Sequence, residues 1–177
     1  LALHGDLEQR DRDQTLIRFA NRSLSVLVAT DVAARGLDIA ALDLVINYQL
    51  AHDVETHTHR IGRTGRAGQQ GLACSLFDQA DEFKVALIND ELATPLQETA
   101  LPALEVLNKL APVPPMACLQ IDAGKKQKLR AGDIVGALTR EQSIQGDEIG
   151  KIQLGDDNAY VAVPRAKLKL AQQLLSA

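Results

Sequence analysis

Three short runs, LSVLVAT (24–30), LDLVINYQL (42–50) and GLACSLF (71–77), are apolar nearly throughout instead of alternating apolar with polar residues. A strand that faces water on one side alternates. A strand written this way needs cover on both faces, the condition of a parallel sheet packed between helices. The intervening segments carry helical spacing. DLEQRDRDQTLIRFANR (6–22) places Leu16, Phe19 and Ala20 on one face, with Asp6 as its expected N-cap. Further helices are expected from Asp53 to Ile61 and over ADEFKVALINDELA (80–93). The alternation predicts an open α/β sheet.

LPALEVLNKLAPVPPM (101–116) is expected to form a short helix and then a linker, because Pro112, Pro114 and Pro115 stop any helix. Beyond it, ACLQIDAG (117–124) is a strand candidate and AGDIVGALTREQ (131–142) a helix candidate. EIGKIQLGDDNAYVAV (148–163) is a hairpin candidate turning at Gly155–Asp157, and the last segment is a helix with Pro164 near its start. That order, β-α-β-β-α, is a split βαβ sandwich one strand short. The chain opens on LALHG, expected to be the tail of a strand, and ends on a helix, so both ends suggest a fragment. Charge follows the same division: residues 1–116 carry 10 Lys and Arg against 16 Asp and Glu, and residues 117–177 carry 9 against 7.

With two Tyr, three Phe and no Trp among 177 residues, the core must be aliphatic. No apolar run is long enough to span a bilayer, and nothing has the pattern of a signal peptide. Cys74 and Cys118 lie far apart without metal-ligand spacing and are expected to be ordinary reduced thiols. A cytoplasmic location is expected.

Three stretches carry chemistry. In VATDVAARGLDI (28–39) a strand gives way to a helix start at the sheet's carboxyl edge, where α/β sheets bind ligands. Gly36 permits close backbone approach and Asp38 could accept hydrogen bonds from ribose hydroxyls; a plain strand-to-helix turn with a solvated Arg–Asp pair explains the same residues. HRIGRTGRAG (59–68) has three arginines at spacing three and no acid. Guanidinium groups stay charged and grip phosphate in bidentate fashion, so anion binding is favoured over a solvated basic face. In HGDLEQRDR (4–12), Gln9 and Arg12 share a helix face beside a Gly–Asp turn, and pairing with Asp11 or Asp13 accounts for them equally well.

In this order and spacing, HGD…QxxR, ATDVAARGLD and HRIGRTGRAG closely resemble the second RecA-like domain of DEAD-box RNA helicases, over residues 1–95. The resemblance implies a RecA-like sheet of the P-loop-NTPase type. It implies that Arg63 and Arg66 are arginine fingers for the γ-phosphate of ATP, with Gly36 and Asp38 also at the nucleotide. His59 would couple nucleotide state to the partner domain. Gly5, Gln9, Arg12 and Thr30 would hold the RNA sugar–phosphate backbone. Arg60, the remaining arginine of the patch, is assigned to the local fold. INYQLA (46–51) departs from the family's INYDxP at Gln49 and Ala51, and His57 stands where Tyr is usual, as a packing or hinge residue.

The chain contains no GxxxxGK[ST] loop and no DEAD sequence; QADEF (79–83) is a superficial echo. The resemblance therefore implies an N-terminal RecA-like domain in cis that supplies the phosphate loop and holds Mg²⁺ with ATP, without which residues 1–177 should not hydrolyse ATP. Residues 96–116 are the expected linker. Residues 117–177 resemble the small α+β, RRM-like RNA-binding domain of the bacterial DbpA group of these helicases, through GKK…R-GD-I-GALT. That implies a hairpin of 23S rRNA as partner, in large-subunit assembly. RRM stacking aromatics are nearly absent, Tyr160 being the one in NAYVAV, so the basic loop Lys125, Lys126, Lys128 and Arg130, with Lys151, is the expected RNA surface. Two other readings stay open: an RNA-binding module without catalysis, and a DNA helicase of the same superfamily.

Overall fold

The computed structural model describes residues 1–34, 42–65, 68, 70–92, 95–107, 109–140 and 144–176. By its internal contacts the chain divides into two compact units: Leu1–Gly36 with Leu110–Ala177, and Leu37–Lys109.

The first unit begins with β1 (Ala2–Leu3), α1 (Gln9–Ala20), β2 (Val28–Ala29) and α2 (Asp31–Ala34). β1 and β2 pair in parallel, Leu3 opposite Ala29. Asp6 is not the cap of α1. It lies within a turn closed by Leu7 N–H donating to the His4 carbonyl at 3.4 Å, so the helix begins only after Glu8, whose side chain makes no capping bond.

The rest of this unit holds β5 (Met116–Ile121), a 3₁₀ turn (Lys125–Gln127), α6 (Ala131–Thr139), β6 (Ile152–Leu154), β7 (Ala159–Pro164) and α7 (Leu168–Ser176). This is the expected β-α-β-β-α order. The strands form an antiparallel sheet in the order β5-β7-β6. Alternation along the central strand sends Ala159, Val161 and Val163 into one core with Ile134 and Leu138 of α6 and Ala171 of α7. Tyr160 alternates to the other face, and Asn21, just past α1, donates from Nδ2 to Cys118 Sγ at 3.2 Å. Burial raises the Cys118 thiol above its ordinary pKa, against smaller opposing effects of Asn21 and Arg18.

The second unit holds β3 (Leu44–Asn47), α3 (Val54–Ile61), β4 (Leu72–Ser75), α4 (Glu82–Glu91) and α5 (Leu104–Leu107). β3 and β4 pair in parallel, Leu44 opposite Leu72 and Asn47 opposite Ser75. QADEF is a helix entry: the Asp78 carboxylate accepts from Ala80 N–H at 2.9 Å, and Lys84 bridges to Asp81 at 2.7 Å.

The apolar runs therefore pair in parallel, but the expected cover on both faces is not what the described residues show. Val28, Ile46 and Leu72 are 66, 59 and 58 % exposed. Each parallel sheet has two strands, and a pair of strands cannot bury its own faces. The strands are shorter than the runs for the same reason, since only residues with a laddered neighbour count as strand.

Candidate nucleic-acid interface

The first cluster sits at the carboxyl ends of β1 and β2. Thr30 N–H donates to the Leu3 carbonyl at 3.1 Å, which sets Thr30 beside the turn containing Gly5. Arg12 reaches across from α1 and donates from Nη2 to the Ala33 carbonyl of α2 at 2.9 Å, while Thr30's own carbonyl accepts from Ala34 N–H at 2.8 Å. Gly5, Arg12 and Thr30 thus converge on the edge where parallel sheets bind ligands. Gln9 opens α1 and donates to Asp13 Oδ1 at 2.7 Å, a pairing within the helix. Gly5, Gln9 and Thr30 are exposed and Arg12 is half-buried.

The second cluster is the arginine patch. Asp53 caps α3, accepting from Thr56 N–H at 2.7 Å, and this orients the helix that carries His57, His59 and Arg60. Arg60 donates from Nη1 to the Gln49 carbonyl at 2.8 Å and to Asn47 Oδ1 at 3.4 Å, which ties α3 to the end of β3. That is the fold-holding role expected for it. His57 is 2 % exposed, a packing residue, while His59 faces solvent.

Beyond Gly62 the chain passes Arg63 and forms a parallel bridge between Thr64 and Leu42. Leu42 N–H donates to the Arg63 carbonyl at 3.0 Å and the Thr64 hydroxyl donates to the Leu42 carbonyl. Gly65 and Gly68 take φ of 66° and 77°, left-handed values that disfavour any residue with a Cβ, which explains two of the motif's three glycines. The half-buried Arg63 is thus carried on a turn held by backbone bonds to Leu42, and a guanidinium so carried suits a phosphate. Gly36, Asp38 and Arg66 lie outside the described residues.

The third cluster is the basic loop. Lys125, Lys126, Lys128 and Arg130 are all exposed between β5 and α6. Arg130 N–H donates to Asp133 Oδ2 at 2.8 Å, fixing the helix start. Lys151 does not join them. It precedes β6 while the loop abuts the turn after β6, so the edge strand, about 13 Å over four residues, separates the two. Tyr160 is 8 % exposed, so its ring is no open platform for bases. Sequence reasoning missed Asp156 and Asp157, which lie against the basic loop; their signal was the acidic GDDN turn.

Residues 1–68 match the helicase conserved C-terminal domain, and residues 118–177 match the DbpA RNA binding domain. The ATP-dependent RNA helicase DbpA of Escherichia coli (strain K12) is 54 % identical over 166 residues, covering 94 % of this chain and 36 % of that protein. Its Bacillus subtilis (strain 168) namesake is 35 % identical over 185 residues, covering 93 % of this chain and 39 % of that protein. The chain thus spans little more than a third of these relatives. Among solved structures, the E. coli DEAD-box protein SrmB is similar with a TM-score of 0.52 at 35 % identity, covering 62 % of this chain and 64 % of that one. By its ordered motifs and these two matches the chain is similar to the C-terminal part of DEAD-box RNA helicases. Its second matched region is the one named for the DbpA type.

Proposed function

We propose that this chain serves an ATP-dependent RNA helicase that acts on structured RNA, with residues 1–95 as the RecA-like half of the motor, 96–116 as linker and 117–177 as the RNA-targeting domain. The observation that carries this reading is the convergence of the Gly5 turn, Arg12 and Thr30 on the carboxyl ends of β1 and β2. There the exposed Thr30 hydroxyl and the Gly5 backbone are placed to meet a sugar–phosphate backbone, which positions RNA without reading its sequence. Arg63 and Arg66 act on a nucleotide held chiefly by an N-terminal RecA-like domain, with Asp38 and Gly36 at its ribose and His59 at the domain junction. When bound, ATP with Mg²⁺ supplies the reactive phosphoryl group and neutralises part of its charge. The two arginines stabilise the charge that develops there.

Lys125, Lys126, Lys128 and Arg130 bind RNA phosphates in a shape-dependent way, and Lys151 contributes from a separate position. A ribosomal RNA hairpin is the partner that the resemblance to the DbpA group implies, and a cytoplasmic site of action is proposed beside it. The test is ATP hydrolysis by the chain joined to an N-terminal RecA-like domain of this family. Stimulation by structured RNA and not by DNA is expected. Stimulation by DNA alone would overturn the RNA assignment, and hydrolysis indifferent to any nucleic acid would overturn the helicase reading.

A further inference from the structure

The basic loop does not stand alone: it is clamped against the acidic turn of the β6–β7 hairpin. Lys125 N–H and Lys126 N–H donate to the carbonyls of Gly155 and Asp156 at 2.9 and 3.0 Å, and Gly155 N–H donates to the Asn158 carbonyl at 2.8 Å. Gly124 makes the approach possible, since a Cβ there would stand 2.5 Å from the Asp156 carbonyl oxygen. The clamp delivers Lys126 Nζ to Asp157 Oδ2 at 2.8 Å, with both side chains largely in solvent. Lys128, next in the loop, takes φ of 61°, an unfavourable backbone for a residue with a Cβ, and it too presents its charge outward.

An exposed pair of this kind contributes little to folding. It does alter what the loop can bind, because a phosphate that engages Lys126 must first displace a carboxylate tethered beside it at high effective concentration. We propose that Asp157 is a built-in competitor that suppresses phosphate binding at Lys126, so that an RNA gains from this cation only by displacing the carboxylate. The proposal rests on the loop being an RNA surface. Sequence-independent RNA affinity comes from phosphate contacts, so occupying one cation lowers it, and an RNA that holds a phosphate at Lys126 bears the full displacement cost.

The experiment is a salt-series measurement of RNA affinity by the full chain, with a plain A-form RNA duplex and a stem-loop RNA of equal length as probes. Asp157→Asn should raise duplex affinity roughly two- to fivefold and steepen the salt dependence by about one ion. Stem-loop affinity should rise at least as much if the stem-loop holds a phosphate at Lys126, because such an RNA always displaces the carboxylate. Asp90→Asn, which removes an equal charge from an exposed position on α4, should change neither. Combining Asp157→Asn with Lys126→Ala should abolish the gain. If Lys125→Ala with Lys126→Ala weakens neither RNA, the loop is not the RNA surface and the parent reading falls. If that pair weakens binding but Asp157→Asn leaves affinity and salt slope unchanged, or acts only as Asp90→Asn does, the competitor is refuted while the loop reading survives.

Discussion

His57 and Arg60 are neighbours on the arginine-patch helix with different physical signatures from the arginines beyond it. His57 Nδ1 is buried and has no hydrogen-bond partner among the described residues. Burial first, and the Arg60 charge second, hold its pKa below the ordinary 6.5. Such an imidazole is neutral in the folded chain and gains a proton on unfolding, so the unfolded state binds more protons below that value. Folding stability is expected to be intact above about pH 6.5 and to fall as pH drops below it. Denaturant midpoints across this range should shift less in His57→Leu than in the wild-type chain. An identical shift would assign the pH dependence to other groups. Arg60→Ala removes bonds to Gln49 and Asn47 and should lower stability by about 1–3 kcal/mol, read in the same denaturant titration. The sequence set Arg60 apart from Arg63 only through the family resemblance, which gives Arg63 and Arg66 to a phosphate and leaves Arg60 to the local fold.

At the scale of elements, α3 and α1 are a matched pair of cap predictions. Asp53→Ala removes a carboxylate that accepts from both the Thr56 backbone and its hydroxyl, and should cost about 1 kcal/mol. Asp6→Ala should change stability by only a few tenths of that, because Asp6 sits in the turn ahead of α1. Equal losses in thermal melts would contradict the cap assignments. The misplaced cap shows a limit of sequence: Asp before an apolar periodicity signals a helix start, but the Gly5 turn consumes those residues before the helix can begin. In contrast, the β-α-β-β-α order of 116–176 was legible because its strands are short apolar runs divided by helix and turn signals, and GDD between two such runs allows little but a hairpin. The parallel runs were legible in pairing but not in length or burial, since both depend on strands brought from elsewhere in the sheet. Basic residues were legible one by one; that Asp157 occupies Lys126 was not, because 31 residues separate them.

For the whole molecule, the main core and the arginine patch lie in different segments. The helix-on-sheet core of residues 116–176 is built around Leu138 and Ile134, both essentially inaccessible, and Leu138→Ala should cost about 2–5 kcal/mol without touching the arginine patch. The patch is the reverse case: two of its glycines accept left-handed backbone and a stretch without acids concentrates charge. The central claim is that this chain contributes one half of an ATPase site. The direct measurement is RNA-stimulated ATP turnover of the chain joined to an N-terminal RecA-like domain from a DEAD-box relative, comparing wild type with Arg66→Ala at matched stability and RNA affinity. A loss of about 10³-fold or more in kcat is predicted. Undiminished turnover in Arg66→Ala and in Arg63→Ala would contradict the account.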